Sequence, residues 1–282
     1  MTVEAGRRRR TLAAPTELFQ GIGLHSGKPA TVRFLPAPSR VGRIFRNPET
    51  RQDIPAHIKN LAESERCTIL ASQHWRLSTV EHVLSALAGL DLDDVIIEVT
   101  GEELPIGDGS AAPFVALLDA SGVAESDDLV LPLKPLAPCI VTGEKGECIV
   151  CRPASDFRIT VILDYPNHPF IGTQVLETSL HSASYRSDVA PARTYGFLAE
   201  LDWLHTHGLG LGASRDNVVV LKDDGYDSDL RYSDELVRHK MLDLVGDLAL
   251  VGRPIEAHIY AIKPSHRLNT KLASLLTLDE YN

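Results

Sequence analysis

In His239-Lys-Met-Leu-Asp243 an imidazole and a carboxylate stand four residues apart. On a helix both project from one face within about one turn. That is the spacing of a two-point grip on a divalent metal, and the nitrogen and oxygen donors suit Zn²⁺ while also admitting Fe²⁺. An ordinary surface i,i+4 pair has the same spacing, so spacing alone leaves both readings open. A third ligand must come from elsewhere, and His82 is the best-placed candidate. Val80-Glu-His82-Val-Leu-Ser-Ala-Leu87-Ala-Gly89 matches Val237-Arg-His239-Lys-Met-Leu-Asp-Leu244-Val-Gly246 without gaps at valine, histidine, leucine and glycine. This weak repeat is simplest as two similar helix-then-strand layers. If the halves pack by pseudo-symmetry, His82 and His239 face each other across one cleft. Three protein ligands leave a fourth position to water, the arrangement of a catalytic zinc.

Glu81 precedes His82 by about 100° of helix rotation, close enough to serve as base for a water at such a centre. Ser78-Thr-Val-Glu81 also has the form of a capping box, which would use the same carboxylate to close the helix start. Other chemistries lack candidates. Gly208-Leu-Gly210-Leu-Gly212 has neither dinucleotide-fingerprint spacing nor a phosphate-loop lysine, and reads as a flexible turn. There is no G-x-S-x-G elbow, and Cys67 has no identifiable base. Cys148-Ile-Val-Cys151 lies in a strand-like stretch, where residues three apart point to opposite faces, so its thiols read as packing.

The elements that must position these groups alternate. Strand-like stretches fall near 30–35, 94–99, 157–163, 217–221 and 256–262, and helical patterns near 79–90, 110–121, 196–207 and 234–251. The polar run Ser121 to Asp128, followed by Pro132, Pro135 and Pro138, reads as a connection and places a boundary near 130, giving units 1–129 and 130–282. With 44% hydrophobic and 23% charged residues among 282, the chain reads as a soluble globular protein. A formal charge of −10 argues against binding nucleic acid. No apolar run approaches the ~20 residues that span a bilayer. Arg7 to Arg10, with no apolar stretch behind them, read as a solvated arm rather than an export signal, and four scattered cysteines read as thiols of a cytoplasmic protein.

The combination resembles the zinc-dependent UDP-3-O-acyl-N-acetylglucosamine deacetylases of lipid A biosynthesis. The matching blocks, in order through both halves, are Thr11-Leu, Gly21-Ile-Gly-Leu-His25-Ser-Gly, Ser78-Thr-Val-Glu-His82 and Leu104-Pro-Ile-Gly-Asp-Gly-Ser-Ala-Ala-Pro-Phe114, then Ala192-Arg-Thr-Tyr-Gly-Phe197, Arg238-His-Lys-Met-Leu-Asp-Leu-Val-Gly-Asp247 and Ser265-His-Arg-Leu-Asn-Thr-Lys271. The resemblance implies an α+β fold of two similar domains, each a helix layer on a β-sheet, with the active site between them. It implies zinc on His82, His239 and Asp243, Glu81 as base for the water that attacks the N-acetyl carbonyl, and Thr194 as donor to the oxyanion. His266, oriented by Asp247, would protonate the departing nitrogen. Lys240 would meet the diphosphate, Tyr195 the sugar, and Phe197, Leu201, Gly210 and Val220 the acyl chain.

Tyr195 stands where the family usually has phenylalanine, Gly212-Ala213-Ser214 replaces Gly-Gly-Ser, and Cys67-Thr68 matches a position near the metal. The implied partner is an amphipathic nucleotide-sugar lipid, met by a monomer that touches the inner-membrane surface transiently. Two competing readings keep the fold: a silent lipid- or nucleotide-sugar-binding protein, and a zinc hydrolase for another N-acyl amino sugar.

Overall fold

A computed structural model describes residues 6–63 and 66–278. Two five-stranded sheets dominate this α+β protein. Across the first, the strands run Phe19–Ile22, Pro29–Pro36, Val95–Thr100, Arg43–Arg46, Asp53–Pro55. Across the second they run Cys139–Thr142, Cys148–Pro153, Ala257–Ile262, Phe157–Tyr165, Gly172–Ser179. The order is the same: in each sheet the strand that comes fifth in sequence lies at the centre, antiparallel to the second and parallel to the third. In each half that central strand follows one long helix and precedes another. The helices are α1 (Glu81–Gly89) and α2 (Ala112–Ser121) in the first half, α5 (Glu235–Leu248) and α6 (His266–Leu278) in the second. The repeat seen around His82 and His239 is the sequence trace of this shared topology.

The central strands alternate. Val95, Ile97 and Val99, like Ala257, Ile259 and Ala261, are buried on the helix side, the period of two expected of a half-covered sheet. Helices α1 and α5 pack together, so both are buried nearly all round. Leu84 and Leu87 of α1, and Leu236, Leu242 and Leu248 of α5, join one continuous core, each burial contributing about 1.5–3 kcal/mol.

Each half carries an insertion at the same place, between its fourth strand and its first long helix. In the first it is a small sheet of Leu61–Ala62, Ile69–Ala71 and Arg76–Ser78. In the second it comprises α3 (Ser182–Ser184), a wide turn over Tyr185–Val189, the parallel pair Tyr195–Phe197 and Val219–Leu221, and α4 (Leu201–Thr206) between those strands.

Three expectations, and one of the two readings of Glu81, are corrected. The arginine run is a strand, Arg7–Leu12, whose guanidinium groups clamp Asp93 and Asp94: Arg9 donates to both oxygens of Asp94 at 2.7 and 2.8 Å. A row of charged side chains looked solvated because its carboxylate partners lie some eighty residues away. The polar run after residue 121 is the strand Val123–Val130, antiparallel to Arg7–Leu12; its alternating exposure is that of a two-stranded ribbon lacking a second covered face. The helix expected over 196–207 is split into the Tyr195–Phe197 strand, a 3-10 turn at Leu198–Glu200 and α4. The capping box does not form: the Glu81 carboxylate accepts instead from the Thr68 backbone N–H at 3.0 Å, while the Ser78 hydroxyl donates to the Glu102 carbonyl.

Candidate metal centre and active site

His82 on α1 and His239 on α5 bring their rings edge to face, centroids 5.1 Å apart. Asp243, one turn after His239, completes a buried cluster in which one ligand atom from each residue lies within 4.8 Å of the others. Its Oδ1 is 3.3 Å from His239 Nε2 and 3.9 Å from His82 Nε2. The far side of each of the two α5 residues is already engaged. His239 Nδ1 meets the Ala192 carbonyl at 3.0 Å, which leaves Nε2 to face the cluster, and Asp243 Oδ2 accepts from Lys240 Nζ at 2.9 Å.

Asp243 Oδ1 and His82 Nδ1 are buried without a hydrogen-bond partner among the described residues. A buried carboxylate oxygen left bare is costly in a folded core. The orphaned Oδ1, aimed between two imidazoles with metal-ligand separations, fits a divalent ion with nitrogen and oxygen preference. Electrostatics agree. Burial, reinforced by His239, holds His82 down to about 3, and burial lowers His239 too, so both rings stay neutral and able to ligate. Burial works against the charge of Asp243, but the Lys240 ammonium and the His266 imidazolium beside it hold its carboxyl well below the usual range.

Two proton-carrying groups flank the cluster. His266, the first residue of α6, places Nε2 3.9 Å from both Glu81 Oε1 and Asp243 Oδ2. Its Nδ1 is 2.9 Å from Asp247 Oδ2. Burial opposes the imidazolium, yet Asp247, Asp243 and Glu81 outweigh it and raise His266 to about 9. Glu81 moves the other way: burial first, then Asp247 and Asp243, push its carboxyl up to about 7 despite His266. A base poised near neutrality thus faces an acid that keeps its proton through neutrality.

The strand and turn that approach from the second insertion are braced from below. Arg193 donates to Glu235 through its backbone N–H at 3.0 Å and its guanidinium at 2.9 and 3.1 Å. Thr194 is fixed by its backbone, donating to the Gly109 carbonyl and accepting from Val219, both at 2.8 Å. Tyr195 sits with its ring 6.2 Å from that of His239 and 5.4 Å from the Lys240 ammonium. Its hydroxyl, the group that departs from phenylalanine, pairs with Tyr165 at 3.0 Å.

Phe197 packs on His168, and Val220 lies opposite Gly196 in the parallel pair. Leu201 opens α4, and Gly210 turns with a positive φ beneath Leu204. These four therefore share one insertion and do not enter the His and Asp cluster itself. The turn at 208–212 is pinned rather than loose, since Leu211 and Gly212 donate to the carbonyls of His25 and Leu24. Beside Phe197, Tyr165 and His168 a hollow of about 340 Å³ opens, also lined by Asp164, Glu200 and Asp223.

The structure adds residues that motif chemistry did not single out. His25 lies near His266; burial, followed by His266 and Arg66, keeps it below its ordinary value despite Glu103. The buried Glu103 holds that loop by accepting from the His25 and Ser26 backbone and from the Thr79 hydroxyl. Thr68 and Asn269 both donate to Asp247. The available signal was position alone, because Glu103 and Asn269 stand inside or beside motif blocks with no spacing that announces a role.

Comparison with known proteins first gives a class, that of deacetylases, hydrolases that act on an amide. The family model for LpxC, UDP-3-O-acyl N-acetylglycosamine deacetylase, matches residues 9–277. Proteins named UDP-3-O-acyl-N-acetylglucosamine deacetylase are similar over nearly the whole chain. That of Chlamydia felis is 39% identical over 269 residues, 94% of this chain and 95% of its own length. That of Leptospira biflexa is 38% identical over 273 residues, 95% and 89%, and that of Syntrophotalea carbinolica 39% identical over 269, 93% and 85%. The chain belongs to the LpxC family of deacetylases, an enzyme family.

Proposed function

We propose that this chain hydrolyses the N-acetyl group of UDP-3-O-acyl-N-acetylglucosamine, giving the free amine and acetate in lipid A biosynthesis, with zinc on His82, His239 and Asp243. The observation that carries the reading is the placement of Glu81 and His266 together beside that cluster, with His266 Nε2 3.9 Å from both Glu81 Oε1 and Asp243 Oδ2. Zinc bound there supplies Lewis acidity toward the amide carbonyl and toward water. Glu81 accepts the proton of the attacking water at its carboxylate. Thr194 donates its hydroxyl to the oxygen that gains charge, a donor aimed at the transition state rather than the substrate. His266 holds its proton at Nε2, with Asp247 fixing Nδ1, and delivers it to the glucosamine nitrogen as the C–N bond breaks.

Lys240, tied to Asp243 at one side, is the cation nearest the centre for the diphosphate, and the Tyr195 ring forms a wall for the sugar. The acyl chain runs along the second insertion past Phe197, Leu201, Gly210 and Val220. The exposed Leu198, Trp203 and Leu211 on that insertion support an apolar route. No helix among the described residues is long and apolar enough to cross a membrane, and the reading is of a cytoplasmic monomer in transient contact with the inner-membrane surface. It keeps 1–129 and 130–282 as the two domains, supported by the origin of each five-stranded sheet on one side of residue 130.

The test is release of acetate from UDP-3-O-acyl-N-acetylglucosamine by metal-stripped protein titrated with Zn²⁺, alongside Glu81→Ala. One equivalent restoring turnover in the wild type alone is the expected result. Bound zinc without turnover would leave a silent binding protein or another N-acyl substrate in its place.

A further inference from the structure

Thr68 reaches both proton-carrying parts of the site, one through its backbone and the other through its side chain. Its backbone N–H donates to Glu81 Oε2 at 3.0 Å. Its hydroxyl donates to Asp247 Oδ1 and lies 3.4 Å from His266 Nδ1. Thr68 is 1% exposed and stands immediately before the Ile69–Ala71 strand, at the inner edge of the first-half insertion. Its carbonyl accepts from Val80, the residue before α1, at 3.3 Å. The insertion is thereby fastened both to the start of α1 and, across the seam, to α5.

We infer that Thr68 is a positioning residue for the deacetylation reaction, setting the relative placement of Glu81 and the Asp247–His266 pair through its N–H and its hydroxyl. The inference deepens the reading above and rests on it. Asp247 is fully buried and has three donors: the Thr68 hydroxyl on Oδ1, and His266 Nδ1 and Asn269 Nδ2, each at 2.9 Å, on Oδ2. Among the described residues the Thr68 hydroxyl is the hydrogen-bond partner of Oδ1, so without it that oxygen is left bare and the carboxylate turns to seek another donor. Rotation of Asp247 carries the His266 ring with it, and the proton at Nε2 no longer points at the nitrogen it serves. The N–H to Glu81 is independent of the side chain. Removal of the hydroxyl therefore loosens the acid while leaving the base anchored.

The test compares Thr68→Val, which keeps the shape and removes the hydroxyl, with Thr68→Ser, which restores it, in the zinc-loaded full chain. Thr68→Val is expected to lower kcat by about 10- to 100-fold, the usual cost of losing a partner behind a site residue, with KM within about twofold and one zinc retained. Thr68→Ser is expected to recover most of that loss. The ¹⁵N-detected Nδ1–H resonance of His266 is expected to move in Thr68→Val and to return in Thr68→Ser. Thr68→Ala gives a second hydroxyl deletion should valine prevent folding. A wild-type kcat in the deletion variants, or a serine variant no better than valine, overturns the assignment. If the wild type itself releases no acetate, the functional reading fails on its own, and an unmoved His266 resonance remains the result that overturns the placement of Thr68.

Discussion

The α-carbon of Gly246 is set directly against the backbone carbonyl of Glu81: a Cβ there would stand 2.1 Å from the Glu81 oxygen and 3.0 Å from its Cα. The contact is between main chains, so neither partner can swing aside. Gly246 is the glycine that the repeat aligns with Gly89, where a Cβ would strike the Tyr185 ring at 2.2 Å. In both halves a glycine on the first long helix admits an element from the other half or from the insertion.

Gly246→Ala is therefore expected to push α1 away from α5 and to destabilise the fold by about 1–3 kcal/mol, the usual cost of overpacking. The same shift displaces Glu81. Chemical denaturation should show a lower midpoint with unchanged slope, and a midpoint equal to that of the wild type would mean the helices slide apart without cost.

Metal and base should separate by mutation. Glu81→Ala is expected to retain one zinc and lose about 10²- to 10⁴-fold in kcat, the range of a general base. His239→Ala removes one of the three proposed ligands and should lose zinc affinity as well as turnover. Metal analysis after gel filtration, beside the rate, distinguishes them, and a Glu81→Ala chain that loses its zinc would contradict the division of labour.

The pH dependence follows from two opposed shifts. Glu81, raised to about 7, must be deprotonated to accept a proton, so the rate should climb as pH rises through that value. His266, raised to about 9, must be protonated to donate, so the rate should fall above it. The expected profile is a plateau between these limbs. His266→Ala should abolish the falling limb, and a limb that survives this change would take His266 out of the acid role.

Glu235 is fully buried, and its carboxylate accepts four hydrogen bonds among the described residues, three from the Arg193 backbone and guanidinium, just before the Tyr195–Phe197 strand, and one from the Arg231 backbone N–H. Glu235→Ala leaves the Arg193 guanidinium buried without its carboxylate and is expected to cost about 3–5 kcal/mol. Because Ala192 and Thr194 flank Arg193, the loss should also weaken zinc binding through the Ala192 carbonyl on His239. Thermal unfolding and zinc titration of the variant check both.

The parts of this architecture that repeat in sequence were legible. The i,i+4 spacing of His239 and Asp243 survives because α5 is one unbroken helix, and the match at His82 carried the facing imidazoles. Long strands such as Phe157–Tyr165 announce themselves by alternation, whereas strands of three or four residues, such as Arg43–Arg46 and Asp53–Pro55, are too short for any period. The Arg7–Leu12 strand is hidden in the sequence because its strand partner, Val123–Val130, and the aspartates that hold its guanidinium groups, Asp93 and Asp94, all lie more than eighty residues away. Glu81 offers two readings in the sequence, and what excludes the cap is Thr68, whose approach is set by an insertion with no local signature. The helix at 201–206 was placed, but the strand before it was not, since Tyr195-Gly-Phe197 acquires its partner only through Val219–Leu221.

His82 reaches the cluster from one half of the molecule, His239 and Asp243 from the other. Any ion gripped by all three is a cross-brace between the two sheets, and its affinity includes the free energy of bringing them together. Binding and closure are then a single equilibrium. Loosening the seam at Gly246, which is not one of the three, would weaken the grip on such an ion, and removing the ion would let amides on both helices exchange with solvent in concert.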